Sequence, residues 1–224
     1  MNNILFISVH PDDETLGCGG TILKHKFLGD EINWLNITGI TENHPYGYTE
    51  QKRIERQKEI EKVVNKYGFN KLINLNFPTQ LLDEIQTKEL ITKIDEAINN
   101  IKPEIIYLIN RSDIHSDHRV AFNAIYSCTK NFRKPYINKI LLYETLSETE
   151  FSPALPENVF IPNVFVDISD FMNKKIEIMQ LYQSEIMPGN LPRSINAIKS
   201  LAAFRGSRIG VEYAEAFMLL FEKK

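Results

Sequence analysis

A chain of 224 residues, 43% hydrophobic and 25% charged with a net charge of -3, has the size and composition of one soluble α/β domain with a sizeable core. It lacks the basic excess that nonspecific nucleic-acid binding requires, so no nucleic-acid partner is expected. Two cysteines, Cys18 and Cys128, are too few for a disulfide framework or a thiolate zinc site and read as free core thiols in a reducing compartment. The N-terminus shows no signal-peptide pattern and no apolar run nears the length of a membrane span, so the expected location is the cytoplasm, with no transmembrane segment.

In chain order, residues 4–9 form a short, β-branched, apolar run suited to a strand buried on both faces. Pro11 ends it and pushes His10 into an extended conformation at the strand's C-terminal end. Asp12, Asp13 and Glu14 then occupy the cap and first turn of a helix, where the helix dipole favours negative charge. That helix continues to about residue 28 and stops at Gly29. Its glycines, Gly17, Gly19 and Gly20, predict a helix backbone lying close on the sheet or on a ligand. Their spacing is not the GxGxxG of a dinucleotide site.

A second strand is predicted over 32–38, followed by a loop over 39–48 with His44, Tyr46 and Tyr48, whose aromatic rings suit either sugar stacking or ordinary packing. Helical spacing covers 50–67, with Gly68 as its stop, and a third strand covers 72–77. An amphipathic helix over 87–101 leads into a fourth strand over 104–109, and a helix runs from the following loop to about residue 130. A strand over 139–144, a proline-bearing loop over 151–162, a short strand over 164–168, helical stretches over 170–184 and up to 204, and a strand over 216–221 complete the chain. The alternation predicts a single doubly wound, Rossmann-like domain over 1–224, with a mostly parallel sheet flanked by helices.

The loop after the fourth strand reads Asn110-Arg-Ser-Asp-Ile-His-Ser-Asp-His118, a second histidine cluster. In a sheet of order 3-2-1-4-5 the first and fourth strands are neighbours, and the crevice outside their C-terminal ends is where ligands bind. The topology therefore brings His10 and Asp13 beside His115 and His118. Two imidazoles and a carboxylate suit a borderline divalent metal, and three protein ligands leave a coordination position open, as in catalytic zinc sites. His10, Asp13 and His118 are the expected ligands. Zn2+ is the expected ion, and Fe2+ fits the same donors.

His10-Pro-Asp-Asp-Glu14 with Leu16-Gly-Cys-Gly-Gly20, and Asp113-Ile-His-Ser-Asp-His-Arg119, resemble the paired signatures of the PIG-L/LmbE-like family of zinc-dependent N-deacetylases. Weaker echoes include Arg56 with Glu59, Tyr182-Gln-Ser184, and Tyr213-Ala-Glu-Ala-Phe217. The resemblance implies zinc on His10, Asp13 and His118, with Asp12 as general base. It further implies that His115 acts as acid or oxyanion partner, oriented by Asp117, and that Arg56 lies near substrate. The loop after the second strand, from Gly39 to Pro45, matches no family pattern, so substrate identity is not carried over.

The residues support that chemistry on their own terms. A metal polarises an amide carbonyl and strengthens water as a nucleophile, Asp12 can take the proton, and His115 can stabilise the oxyanion and protonate the leaving amine, with Asp117 holding its tautomer. The expected partner is a small-molecule N-acetylated sugar or conjugate, and a homo-oligomer is left open. Two other classes compete: a nonhaem iron oxygenase, whose facial triad usually sits on a β barrel, and a noncatalytic metal-dependent sugar-binding protein, which has no use for Asp12 and His115. A metal phosphoesterase would want a second metal and more carboxylates.

Overall fold

The computed structural model describes residues 1–42 and 44–224, so that Asn43, in the loop without a family pattern, lies outside the described residues. A seven-stranded sheet of order β3-β2-β1-β4-β5-β7-β6 forms the centre. The middle strand of its parallel part, β1 (Asn3–Ser8), pairs in parallel with β2 (Glu31–Gly39) on one side and β4 (Ile105–Ile109) on the other. Beyond them β3 (Lys71–Pro78) and β5 (Lys139–Tyr143) extend the parallel part. The 3-2-1-4-5 order expected from the alternation therefore holds. The last two strands add an antiparallel edge that the alternation does not specify: β7 (Ala214–Glu222) runs against β5, and β6 (Val164–Asp167) runs against β7.

Helices α1 (Asp13–Phe27), α2 (Glu50–Tyr67), α3 (Thr87–Ile101), α4 (Ser116–Ser127), α5 (Met172–Met179) and α6 (Ile195–Ser207) flank the sheet. Ile4 to Ile7 of β1 are fully buried, as a strand covered on both faces requires. The helix expected over 170–184 is shorter than its apolar spacing suggests. A 3-10 turn (Ser169–Phe171) precedes α5, and the chain leaves the helix after Met179 so that Tyr182 turns fully inward, its hydroxyl donating to Glu14 Oε1 at 2.9 Å. Among the described residues no helix is long and apolar enough to cross a membrane.

Glycines in α1 allow the close approach that their positions suggest. A Cβ on Gly17 would run into the Tyr143 ring and fall 2.8 Å from the Glu144 carbonyl, and one on Gly20 would fall 2.6 Å from Ile168. They also admit a buried ion pair. Glu215 accepts the N–H groups of Gly20 (2.8 Å) and Thr21 (2.7 Å), while Lys175 donates to Glu215 (2.7 Å) and to the carbonyl of Leu16 (2.8 Å). In a regular helix the Leu16 carbonyl takes the Gly20 N–H, so the pair supplies both groups with side-chain partners. It thereby fixes the helix that carries Asp13 against β7 and α5. Both side chains are almost wholly removed from water, and breaking such a pair leaves an uncompensated charge. Lys175→Met is accordingly expected to cost about 3–5 kcal/mol, or roughly 6–20 °C in Tm for a domain of this size, with part of the loss recovered when Glu215→Gln is added. Thermal and urea unfolding check both.

Candidate active site and metal centre

Parallel pairing of β1 with β4, Ile4 opposite Ile105 through Ile7 opposite Leu108, sets the two histidine loops side by side. After β1 the chain turns sharply. Asp12 has φ 139°, a region that an L side chain occupies only under constraint, at a cost of order 1–3 kcal/mol. The constraint is visible: the Asp12 N–H donates to Glu14 Oε2 (3.1 Å) and its carbonyl accepts from Thr15 (3.0 Å) and Leu16 (2.9 Å). Glu14, wholly buried beneath this turn, accepts from Thr15 (2.6 Å) and Tyr182 (2.9 Å), and burial pushes its carboxyl up to about 7.

The turn separates two adjacent carboxylates. Asp13 points inward, where Oδ2 accepts the N–H groups of Val9 (3.0 Å) and His10 (2.8 Å). The same oxygen lies 3.3 Å from His118 Nε2 and 4.0 Å from His10 Nδ1, and the two ring nitrogens are 3.3 Å apart. Bonds of about 2.0–2.1 Å to a four-coordinate zinc ion set ligand atoms roughly 3.3 Å apart, which matches two of the three edges. Burial alone would raise the Asp13 carboxyl, but His118 and His10 beside it hold it below the usual carboxylate range. Burial would likewise lower His118, and Asp13 and Asp113 raise it instead.

The remaining nitrogen of each histidine meets a carboxylate. His118 Nδ1 is 2.9 Å from Asp113 Oδ2, and Asp113 is itself fixed by Asn110 (3.0 Å) and the Thr149 hydroxyl (2.7 Å). His10 Nε2 is 3.2 Å from Asp117 Oδ2, and Asp117 accepts the N–H groups of Gln80 (2.6 Å) and Leu82 (3.1 Å). Outer carboxylates of this kind take the imidazole N–H and leave the inner nitrogen with its lone pair, as metal-ligating histidines require. His10, Asp13 and His118 therefore form a donor set that fits a divalent ion. A second trio, His10, His115 and Asp117, is also close enough to hold one. It fits less well, because His115 Nδ1 accepts the Asp117 N–H, which puts the proton of a neutral ring on Nε2 and leaves no lone pair for an ion.

The sequence expectation for Asp117 requires a correction. Its carboxylate serves His10 and does not orient His115. Its backbone N–H donates to His115 Nδ1 (3.1 Å), because His115 is the N-cap of α4. The consequence for tautomer survives: with Nδ1 accepting, the proton of a neutral ring sits on Nε2. Burial, with His10 and His118 nearby, brings His115 down to about 4, so the ring is neutral at pH 7.

A cavity of about 400 Å³ opens over this centre, lined by Asp12, Asp13, His10 and His115 together with Arg56, Glu185 and Arg193. Asp12 is the N-cap residue of α1, but its side chain makes no capping hydrogen bond, and it borders the cavity without belonging to the trio of donors. Burial, Asp13 and Glu185 raise its carboxyl well above the usual range against the pull of Arg56 and Arg193. Arg56 lines the cavity, as a residue near substrate should, but its guanidinium is committed to Glu59 and Glu185. Sequence reasoning passed over Asp113, Thr149, Glu185 and Arg193. Asp113 stood within the second motif, five residues before His118; the other three carry no local signal.

A family model described as PIG-L, GlcNAc-PI de-N-acetylase, matches residues 5–129. The chain belongs to the PIG-L family. That match spans both histidine loops and ends just after α4. The chain is 26% identical over 223 aligned positions to the diacetylchitobiose deacetylase of Thermococcus kodakarensis, covering 96% of this chain and 82% of that one. Its fold superposes on the conserved protein TT1542 of Thermus thermophilus with TM-score 0.78 at 24% identity, covering 100% and 97% of the two chains. It also superposes on the N,N'-diacetylchitobiose deacetylase of Pyrococcus horikoshii with TM-score 0.72 at 25% identity, covering 97% and 83%.

If the trio is the metal centre, purified protein dialysed against zinc retains one ion per chain and His118→Ala retains none. Asp113→Ala keeps all three ligands but loses the outer partner of His118, so its metal affinity is expected to fall about 10–100-fold. Elemental analysis and competition with a chromogenic chelator measure both quantities.

Proposed function

We propose that the protein is a metal-dependent hydrolase that removes the N-acetyl group from an amino sugar or amino-sugar conjugate. The observation that carries this reading is the meeting of His10 Nδ1, Asp13 Oδ2 and His118 Nε2 beside a buried carboxylate, Asp12, that is not one of the three. Family membership supports the reaction class, and the diacetylchitobiose deacetylases at 25–26% identity support an N-acetylated sugar as substrate. Buried, unpaired Cys18 and Cys128 suit a reducing, cytoplasmic location.

His10, Asp13 and His118 would hold the ion. A divalent ion such as Zn2+ supplies Lewis acidity, polarising the amide carbonyl and making water a stronger nucleophile near neutral pH. Asp12 accepts the proton of the attacking water, and burial together with Asp13 and Glu185 raises its carboxyl and so its basicity. His115 Nε2–H donates to the carbonyl oxygen as negative charge develops there. The proton held by Asp12 then passes to the departing nitrogen, which leaves as an amine with acetate as the second product. A neutral His115 is suited to the oxyanion task alone, so the structure favours Asp12 as the source of the amine's proton. Arg56 acts on the loop rather than on substrate: it reaches the Pro11 carbonyl at 3.5 Å and faces Asp12.

Zinc-loaded protein is expected to release acetate from N-acetylated amino sugars and not from an acetylated peptide. Asp12→Asn, isosteric but unable to accept a proton, should retain the metal while kcat falls about 10²–10⁴-fold. Asp13→Asn should lose metal and activity together. Acetate assays with parallel metal analysis decide between these outcomes and the exchanged assignment, in which Asp12→Asn is the variant that loses metal.

A further inference from the structure

Two arginines reach the cavity, and both are already spent. Arg56 donates to Glu185 Oε1 and to the Ser184 hydroxyl (3.2 Å), and pairs with Glu59 at 3.2 Å. Arg193 faces Glu185 Oε2 at 3.4 Å and donates through Nε to the Glu185 carbonyl (3.1 Å) and through Nη1 to the Ser147 hydroxyl (3.1 Å). Glu185 thus bridges the two guanidiniums, one on each carboxylate oxygen. The third cation of the lining, Lys52, is exposed and sits 4.9 Å from the centre of the Tyr48 ring. Four carboxylates also line the cavity, Asp12, Asp13, Glu148 and Glu185, and of these Asp13 would serve the ion and Glu185 holds the two guanidiniums.

A phosphate or carboxylate entering this cavity gives up water and meets Glu185 and Glu148, with no uncommitted guanidinium to pair with. Specificity arises as readily from such an unfavourable encounter as from an added contact. An uncharged sugar incurs no such cost, because its hydroxyls need only neutral partners. Those are present: Tyr48, Gln80 and Ser147 line the cavity.

We infer that Glu185, by holding both Arg56 and Arg193 in ion pairs, makes this site selective for an uncharged N-acetylamino sugar over conjugates that carry a phosphate or carboxylate. The inference rests on the deacetylase reading for its chemistry and on the cavity's charges for its direction. It assigns Glu185 as a specificity-determining residue.

A matched pair of compounds tests it: the methyl glycoside of N-acetylglucosamine and N-acetylglucosamine 1-phosphate. Metal-loaded wild type is expected to release acetate from the methyl glycoside with a kcat/KM at least tenfold higher. In Glu185→Gln both guanidiniums lose their shared carboxylate, and the ratio should move at least tenfold toward the phosphate. A wild-type ratio near one or favouring the phosphate, or an unchanged ratio in folded Glu185→Gln, overturns the inference. If that variant does not fold, the wild-type ratio decides. Calorimetric binding of both compounds to Asp12→Asn protein, which holds them uncleaved, separates the two readings. Acetate release from neither compound removes the deacetylase reading, and tighter binding of the phosphate in that case removes charge selection as well.

Discussion

The parallel ladder between β1 and β4 is the constraint on which the candidate site depends. It fixes the C-terminal ends of two strands about one strand spacing apart, and each end releases a loop that carries histidine and aspartate. Neither loop alone assembles the donor trio: His10 and Asp13 come from the first, His118 from the second. A parallel sheet needs long crossovers, which is why the two motifs lie about a hundred residues apart in the chain yet touch in space.

Electrostatics then account for the detail around that junction. Bringing two imidazoles and a carboxylate out of water with their lone pairs facing one another is unfavourable unless a cation joins them. The surrounding groups do not relieve this at the inner ring nitrogens. They accentuate it, since Asp113 and Asp117 take the outer sides of the two rings and the N–H groups of Val9 and His10 fix the carboxylate as an anion. Asp12 is set apart from the trio by backbone strain, and that strain is held by Glu14, Thr15 and Leu16. The buried Lys175–Glu215 pair stabilises the helix behind it, so the position of Asp13 depends on residues far away in the sequence.

Much of this was legible in the chain, for physical reasons. The strand–helix alternation and the apolar runs dictate a parallel sheet, and strands 1 to 5 take the order expected of a doubly wound one. His10, Asp13 and His118 were legible because they cluster where strands end. Groups that act across the fold left no such trace. The antiparallel placement of β6 and β7, the inward turn of Tyr182 that shortens α5, and the bridging of Arg56 and Arg193 by Glu185 all depend on tertiary contacts. The role of Asp117 was misread for the same reason: proximity in sequence suggested His115 as its carboxylate's partner, and the fold supplied His10.

The central claim concerns which atoms converge on a cation, and anomalous diffraction from a zinc-loaded crystal addresses it most directly. The account predicts one anomalous peak within bonding distance, about 2.0–2.2 Å, of His10 Nδ1, an Asp13 carboxylate oxygen and His118 Nε2, with Asp12 outside the coordination sphere. A peak bound instead through His10 Nε2, His115 and Asp117, or one ligated by Asp12, would contradict it.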